Sequence, residues 1–310
     1  MAYTKNTWLP RIGTGLNKFT DQNGNEWTLT SAPTEVQQAG TPFTADWMNH
    51  IEDGIYNAAA RADISSNPNL LINGGFAVWQ RGESFTVPRT GTGAGQYTAD
   101  RWRVWANTDS AGGNIVVTKV DGGLHVEASG AGIATYRFEE ADAKKLTGKT
   151  VTLSRSVDGV VSSETQSFPA NGTFNVPLPA SGTLNWVKLE LGGEATPYVP
   201  KGYGEELLAC MRYYQVTGTV FCPGYITVGG ASFTYMPPVP MRIVPTIGGN
   251  VNDMTVRPVD SDVIYRQTVG ISSSQSSGDT LYLTTTAPGV TSNRPCVVQF
   301  WGLTLNAEMG

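Results

Sequence analysis

The sequence predicts a mainly β protein in which an N-terminal arm and a short helix precede two β-sandwich domains of jelly-roll type. The 310 residues include 36 Gly and 18 Pro, a composition that favours turns over long helices. Short segments that alternate apolar and polar residues recur along the chain, and turn signals such as Asn171-Gly172 separate them. No repeat of fixed period is present in the sequence, which argues against a β-helix.

Composition and charge narrow the classes of partner. Hydrophobic residues make up 40% and aromatic residues 10% of the chain, which suits globular domains with their own cores. The net charge is −5 and Lys/Arg clusters are missing from the sequence, which argues against nucleic acid or an anionic membrane as a partner. The sequence has no apolar run of about 20 residues and no signal-peptide pattern at Met1. We therefore expect synthesis in a cytoplasm without a signal peptide.

Residues 1–43 are predicted to form an arm that docks on another protein. They contain Trp8 and Trp27 but little periodicity, and Asn23-Gly24 is a hairpin signal before a short strand at 27–30. Such a segment cannot bury its aromatic side chains alone, so we expect it to become ordered on assembly. A mobile tail is the alternative.

Residues 44–66 are predicted to form an oligomerisation helix followed by a hinge. Thr44 is the expected N-cap, and Asp46 lies in the first turn, where a negative charge is favourable. Five apolar residues then recur at helical spacing: Trp47, Ile51, Ile55, Ala58 and Ala62. Because this stripe covers one side only, it suits association about a three-fold axis, and packing on the chain's own arm is the alternative.

Residues 67–200 are predicted to form the first sandwich, with no helix longer than a turn. Strands are predicted at 76–80, 101–105, 114–120, 124–128, 134–138, 150–156, 165–168, 173–176 and 186–191. The last strand should bury alternate side chains and leave the others facing solvent, namely Trp186, Lys188 and Glu190. Gly and Pro residues after 191 predict a linker, and Glu205 and Glu206 then open a short helix.

Residues 201–310 are predicted to form the second sandwich. Its strands are predicted at 211–218, 219–228, 231–236, 254–257, 263–270, 280–285 and 295–303. Long gaps at 222–230, 248–262 and 272–278 are expected to be surface loops that carry most of the contact with a binding partner. Three cysteines lack metal-ligand spacing and are expected to be buried and reduced: Cys210, Cys222 and Cys296.

The sequence carries no recognisable catalytic motif. It has two His, no Gly-x-Ser-x-Gly elbow, no metal-ligand motif and no phosphate-binding glycine loop. The acidic cluster of Glu139, Glu140 and Asp142 precedes two lysines and indicates a solvated turn of mixed charge. Asp100 is expected to anchor its loop by hydrogen bonds. We predict no enzymatic activity, no cofactor and no metal, with a glycosidase as the alternative because its two carboxylates need no fixed sequence spacing.

Binding of a sugar needs an aromatic face and hydrogen-bonding groups for the hydroxyls. Alternation over 101–105 predicts that Trp102 faces the core and that Arg101, Arg103 and Trp105 face outward. Two tyrosines near loop-rich regions of the second sandwich are further candidates. The glycan-binding candidates are therefore Arg103, Trp105, Tyr225 and Tyr265. Core packing is the alternative for each aromatic side chain.

Several segments resemble tail-fibre and receptor-binding proteins of tailed bacteriophages. LELGGEATPYVP at 189–200 and YGEELLACMRYYQ at 203–215 resemble the domain junction of those proteins. NLLINGGF, WQRG and YTADRW, which begin at Asn69, Trp79 and Tyr97, look like the opening of their carbohydrate-binding-module-like sandwich. PMRIVPT from Pro240 and the segment 303–309 resemble their distal domain, and 39–55 is similar to N-terminal helices in tail proteins of phages that infect Gram-positive bacteria.

The resemblance implies a fibre-type homotrimer in the virion. Its N-terminal arm would attach to other tail or baseplate proteins, and its sandwich domains would bind a host cell-surface polysaccharide or glycoconjugate. The family offers no binding motif that can be carried over residue by residue. Three hypotheses follow: an adhesin without catalysis, a purely structural baseplate or fibre component, and a polysaccharide depolymerase.

Overall fold

The computed structural model describes residues 7, 18–28, 44–64, 67–88, 95–106, 113–227, 230–250, 254–260, 264–267, 276–286 and 293–309. The chain divides into two compact units, Met1–Ser66 and Asn67–Gly310. The described residues are mainly β, and their antiparallel sheets are of the β-sandwich type, which confirms the predicted class. None of the described helices is long and apolar enough to cross a membrane.

The first unit contains a hairpin and a helix. Strands β1 (Lys18–Thr20) and β2 (Glu26–Thr28) pair antiparallel. The Asp21 carboxylate accepts hydrogen bonds from the backbone N–H of Asn23 and of Asn25, each at 2.9 Å, and Gly24 adopts φ +86°. The predicted hairpin signal is therefore confirmed, with the second strand one residue earlier than expected. Trp8 lies outside the described residues, as does most of the 1–43 arm.

Helix α1 (Ala45–Ile64) begins where predicted, because the Trp47 N–H donates to the Thr44 hydroxyl at 3.3 Å. Its stripe is exposed in this chain, with 54% of Trp47, 46% of Ile51 and 44% of Ile55 accessible to solvent. Glu52 lies off the stripe and is buried, so the covered side of the helix is not the apolar one. Ala58 and Ala62 belong to the helix, but their side chains lie outside the described residues.

Two sheets enclose the first core of the second unit. The strands are β3 (Ser84–Pro88), β4 (Gln96–Tyr97), β5 (Arg103–Ala106), β6 (Asn114–Val120), β7 (Gly123–Ala128), β8 (Gly132–Arg137), β9 (Thr150–Val157), β10 (Val160–Ser167), β11 (Thr173–Pro177) and β12 (Ser181–Leu191). One sheet has the order β10-β9-β12-β7-β6-β3 and the other β11-β8-β5-β4. The core between them is apolar and includes Trp102, Val126 and Phe174.

Three predictions in this region are wrong. Residues 76–80 form no strand, because Asn73 and Phe76 adopt positive φ and the Asn73 side chain accepts from the Val78 N–H at 2.9 Å. The acidic cluster forms helix α2 (Glu140–Leu146) instead of a turn, stabilised by an i,i+4 pair between Lys144 and Glu140 at 2.7 Å. Arg101 does not share a strand face with Arg103, because β5 starts after it and Arg101 is buried at φ +73°.

The linker after β12 covers the outer side of that strand. Lys188 and Glu190 were expected to face solvent, but both are buried and form an ion pair at 3.1 Å. The Thr196 hydroxyl accepts from Lys188 Nζ at 2.6 Å and donates to Glu190, while Tyr198 stacks on Trp186 with centroids 4.7 Å apart. The linker is therefore part of the packed structure.

The second core follows helix α3 (Tyr203–Met211). Its strands are β13 (Tyr214–Val216), β14 (Val220–Thr227), β15 (Gly230–Tyr235), β16 (Thr246–Gly249), β17 (Met254–Pro258), β18 (Tyr265–Gln267), β19 (Leu281–Thr286), β20 (Arg294–Phe300) and β21 (Leu303–Asn306). They form sheets ordered β18-β17-β20-β14-β15-β19 and β13-β21-β16. The three cysteines are buried and free, as expected.

In two of the three expected receptor loops, most of the described residues belong to strands. Residues 222–227 and Gly230 belong to the paired strands β14 and β15, in which Gly224 lies opposite Phe233. Residues 248–262 include the end of β16 and all of β17. Of the third loop, 272–278, only 276–278 are among the described residues. These segments looked like loops because they contain many small and polar residues. Such residues also form paired strands when the residues that alternate with them fill the core.

A buried polar junction joins the two cores. The first half of the second unit, residues 67–202, holds the first core, and the second half, residues 203–310, holds the second. Glu308, near the end of the second half, forms ion pairs with Arg81 at 3.2 Å and with Arg101 at 2.5 Å. Each guanidinium also lies over a tyrosine ring, Arg81 over Tyr214 and Arg101 over Tyr213, both 3.6 Å from the ring centroid. The segment that ends at Met309 is thus held against the first sheet pair.

Candidate functional site

A row of polar side chains crosses the outer face of the four-stranded sheet. Tyr97 on β4 pairs with Arg103 on β5, Arg103 pairs with Thr135 on β8, and Thr135 pairs with Asn175 on β11. Residues directly opposite each other on paired strands point to the same face. The alternate residues on these strands are apolar and buried in the first core, so the row faces away from it.

A groove of about 320 Å³ lies over this row. Trp105 and Arg137 follow Arg103 and Thr135 by two residues, so they lie on the same face. The groove, called the Trp105 groove, is lined by Tyr97, Arg103, Trp105, Thr135, Arg137, Thr173, Asn175 and Met309. Its volume is in the range of small-ligand sites.

A chain of hydrogen bonds orients the polar groups of the groove. The Trp105 indole Nε1–H donates to the Thr135 hydroxyl at 2.6 Å, and this hydroxyl donates to the Asn175 side-chain oxygen at 2.8 Å. The Thr135 hydroxyl accepts from the indole, which can only donate, and gives its own proton to the Asn175 oxygen, which can only accept. The Asn175 oxygen is therefore engaged, and its NH₂ group can donate to a ligand.

Gly95 lets the chain pass close to the groove residues. A Cβ at this position would lie 2.7 Å from the Arg103 Nε and 3.0 Å from the Trp105 Cβ. Any larger residue would push one of these side chains aside. Glycine at this position therefore follows from close approach and not from an unusual backbone angle.

The second half of the chain closes one end of the groove. The Tyr97 hydroxyl donates to the Met309 carbonyl at 2.5 Å, and the Arg242 Nε–H donates to the Ala307 carbonyl at 3.0 Å. Burial, together with nearby Glu308, raises the pKa of Tyr97 to about 12. The hydroxyl therefore keeps the proton that it donates to Met309 at neutral pH.

A second groove of about 470 Å³ adjoins the first. It shares Arg137 and Met309 with the Trp105 groove, so the two grooves are neighbours, and together they are called the cleft. This second one, called the Arg242 groove, is lined by Arg137, Phe138, Glu140, Ala143, Lys144, Ala170, Asn171, Arg242 and Met309. The cleft thus runs from the four-stranded sheet past α2 to the second half of the chain.

The structure brings together two of the four glycan-binding candidates. Arg103 and Trp105 lie in the Trp105 groove, and Trp105 is half-buried with its indole N–H engaged. Tyr225 lies on the outer face of the other half and is 47% exposed. Tyr265 is half-buried and packs against the second core. These two tyrosines do not line either groove.

Six residues that line the Trp105 groove were not expected from the sequence: Tyr97, Thr135, Arg137, Thr173, Asn175 and Met309. Alternation in β8 does place Thr135 and Arg137 on an outward face, so that part of the signal was present. The pairing of β8 with β5 and β11 joins residues far apart in sequence, and no local pattern specifies it.

Asp100 is a structural anchor, as predicted. It is fully buried, accepts from Gln80 Nε2 at 2.6 Å and pairs with Arg81 at 2.8 Å. Burial, opposed by Arg81, raises its pKa to about 6. A raised carboxyl pKa also occurs in general acids, but Asp100 lines neither groove. Within the described residues, no three His, Cys, Asp or Glu side chains are grouped to hold a metal ion.

The comparisons with known proteins do not assign this chain to a family. The chain was compared with protein-family models, with curated proteins and with solved structures. None of the three comparisons found a match.

Proposed function

We propose that this chain is a tail-fibre or receptor-binding protein of a tailed bacteriophage that attaches the virion to a host cell-surface glycan without catalysis. The observation that carries the binding role is the Trp105 groove. It places an aromatic ring beside guanidinium, amide and hydroxyl groups. These are the groups that bind the apolar face and the hydroxyls of a sugar ring.

The same proposal covers assembly. The chain would form a homotrimer through the stripe of α1, attach to tail or baseplate proteins through the 1–43 arm, and present two jelly-roll-like sandwich domains. The exposed Trp47, Ile51 and Ile55 support it, since side chains of this size are seldom left together on a helix surface without a partner.

We assign receptor contact to the cleft and not mainly to loops of the second half. Most of the described residues of 222–230 and 248–262 lie in strands, so these segments offer fewer adaptable groups than expected. The second half contributes Arg242 and Met309 to the cleft instead. Sequence motifs that resemble phage tail proteins fall on the elements around this cleft, at 97–102 and 203–215.

One observation favours the structural alternative. Phe221, Tyr225 and Val297 lie on one outer face of the six-stranded sheet of the second half, and 64%, 47% and 36% of these residues are exposed. Their strands β14 and β20 are neighbours, which brings the three side chains close to one another. Such a face suits burial against another subunit or tail protein.

A glycan array with the full chain tests the binding role. Trp105→Ala should reduce binding to every glycan that the wild type recognises by at least about ten-fold, because the sugar loses its aromatic face. The matched control is Trp301→Ala, which removes a tryptophan that is 38% exposed on the turn between β20 and β21. It should leave binding unchanged.

Three outcomes would contradict the proposal. Glycan binding that survives Trp105→Ala would exclude the groove as the binding site. A chain that binds no glycan but is required for tail assembly would favour the structural alternative. Release of new reducing ends from a host polysaccharide would favour a depolymerase.

A further inference from the structure

The cleft formed by the two grooves has a basic lining in a protein of net charge −5. Its described lining contains four basic side chains: Arg103, Arg137, Lys144 and Arg242. Among these described residues the only carboxylate is that of Glu140, which pairs with Lys144 at 2.7 Å. The local charge of the cleft is therefore opposite to that of the whole chain.

The Asn175 amide adds a neutral donor to the Trp105 groove. The hydrogen-bond chain from Trp105 through Thr135 engages the Asn175 oxygen and leaves the amide NH₂ to donate to a ligand. A ligand rich in acceptor oxygens, and above all an anion, matches this arrangement.

Two arginines are spaced so that both can reach one anionic group. Arg103 pairs with Thr135, and Arg137 is two residues further along the same strand, so the arginines are diagonal neighbours with Cα atoms about 7–8 Å apart. Each guanidinium has five N–H donors, so a contact within the protein still leaves donors for a ligand. Guanidinium groups bind carboxylate and phosphate through paired hydrogen bonds.

We propose that the cleft binds an acidic polysaccharide. A sugar ring lies on Trp105, and carboxylate or phosphate substituents of this unit and the next contact Arg103, Arg137 and Arg242. The inference rests on the proposed glycan-binding role and specifies the charge of the glycan. It also makes Arg242, from the second half of the chain, part of the binding site.

The test uses the full chain on an array that carries uronate-containing, phosphate-containing and neutral bacterial polysaccharides. Binding should be confined to the two acidic classes and should weaken as ionic strength rises. Arg137→Gln and Arg242→Gln should each lower the affinity for the best acidic probe by about ten-fold. The acidic class that binds, uronate or phosphate, identifies the anionic group of the ligand.

The matched control is Lys119→Gln, which removes one positive charge on β6, in the other sheet. It should leave affinity unchanged. Thermal melting of each variant separates lost binding from lost folding, and Arg137→Gln is the critical variant because that side chain is exposed and the fold does not depend on burying it. Arg137→Lys should recover part of the affinity through its charge.

Each result decides between the two proposals. Binding of neutral glycans that Trp105→Ala abolishes would overturn the acidic-ligand inference and leave the proposed function standing. Acidic binding that Trp105→Ala abolishes but the arginine variants do not change would also overturn the inference. Absence of binding to every class would overturn both.

Discussion

Arg81 and Arg101 are each stabilised at the buried junction by a carboxylate and an aromatic ring. The side chains of Arg101 and Glu308 are 1% and 3% exposed. Removing one partner of such a pair leaves a buried charge without compensation, which costs about 3–5 kcal/mol. Individual side chains at 81, 101 and 308 thus decide whether the two halves of the second unit stay joined.

Asp100, next to these arginines, should give the folded state a measurable pH dependence. Its pKa is raised from 3.8 to about 6, so the folded state binds this proton more tightly than the unfolded state. The contribution to stability is therefore complete below pH 3.8 and is lost as pH rises through about 6. As the pH falls from about 7 to about 4, the free energy of unfolding of the wild type should rise by up to about 3 kcal/mol relative to that of Asp100→Asn.

Urea unfolding of both proteins at the two pH values measures this difference. Asp121→Asn is the control, because it changes the same residue type on the exposed turn between β6 and β7. It should follow the wild type at both pH values. Equal pH dependence in the wild type and in Asp100→Asn would show that another group is responsible.

At the scale of elements, the linker at 192–202 acts as a cover for β12. Lys188 and Glu190 need this cover, because the linker supplies Thr196 and the Pro197 carbonyl as hydrogen-bond partners. A strand with charged residues on its second face can therefore be buried on both faces when the following segment folds back over it. This is why the alternation in β12 indicated a solvent face that does not exist.

Thr196→Val should lower the free energy of unfolding by about 2–4 kcal/mol. The change keeps the shape of the side chain but removes the hydroxyl that accepts from Lys188 and donates to Glu190. Thr196→Ser keeps the hydroxyl and should cost about 1 kcal/mol or less. Chemical denaturation of the three proteins compares them, and equal stability of the Val and Ser variants would contradict the role of the hydroxyl.

At the scale of the whole molecule, the described residues of the single chain include two exposed apolar surfaces. One is the stripe of α1 in the first unit, and the other is the outer face around Phe221 and Val297 in the second. Symmetric association would bury such surfaces in copies of the same chain. The proposed trimer assigns the helix stripe to the subunit interface.

Ile51→Asp should convert the trimer into monomers, because it places a charge in the middle of the apolar stripe. Mass photometry should change from about three times the 33.1 kDa chain mass to the chain mass itself. His50→Asp introduces the same side chain at an exposed position off the stripe and should leave the trimer intact. A wild-type chain that is already monomeric at micromolar concentration would contradict the assembly proposal.

The sequence was sufficient for the fold class, for α1 and its cap, and for most strands, because alternation and turn residues are local signals. The prediction of a strand at 76–80 was wrong because Asn73 and Phe76 adopt positive φ. The prediction of a turn at α2 was wrong because it rested on the charged residues of that segment. Arg103 and Trp105 could be identified as a pair because they share a strand. Asn175 and Met309 join them only through pairing across the sheet and the junction, which no local pattern encodes.

The polar junction restricts which parts of this chain can be exchanged by recombination. Crossing over within the linker at 192–202 would combine a first half from one lineage with a second half from another. Unless the incoming half carries a carboxylate at 308 and rings at 213 and 214, the hybrid would bury Arg101 without a carboxylate partner and leave Arg81 with Asp100 alone. We therefore expect exchange at this linker to destabilise the hybrid even though each half has its own core.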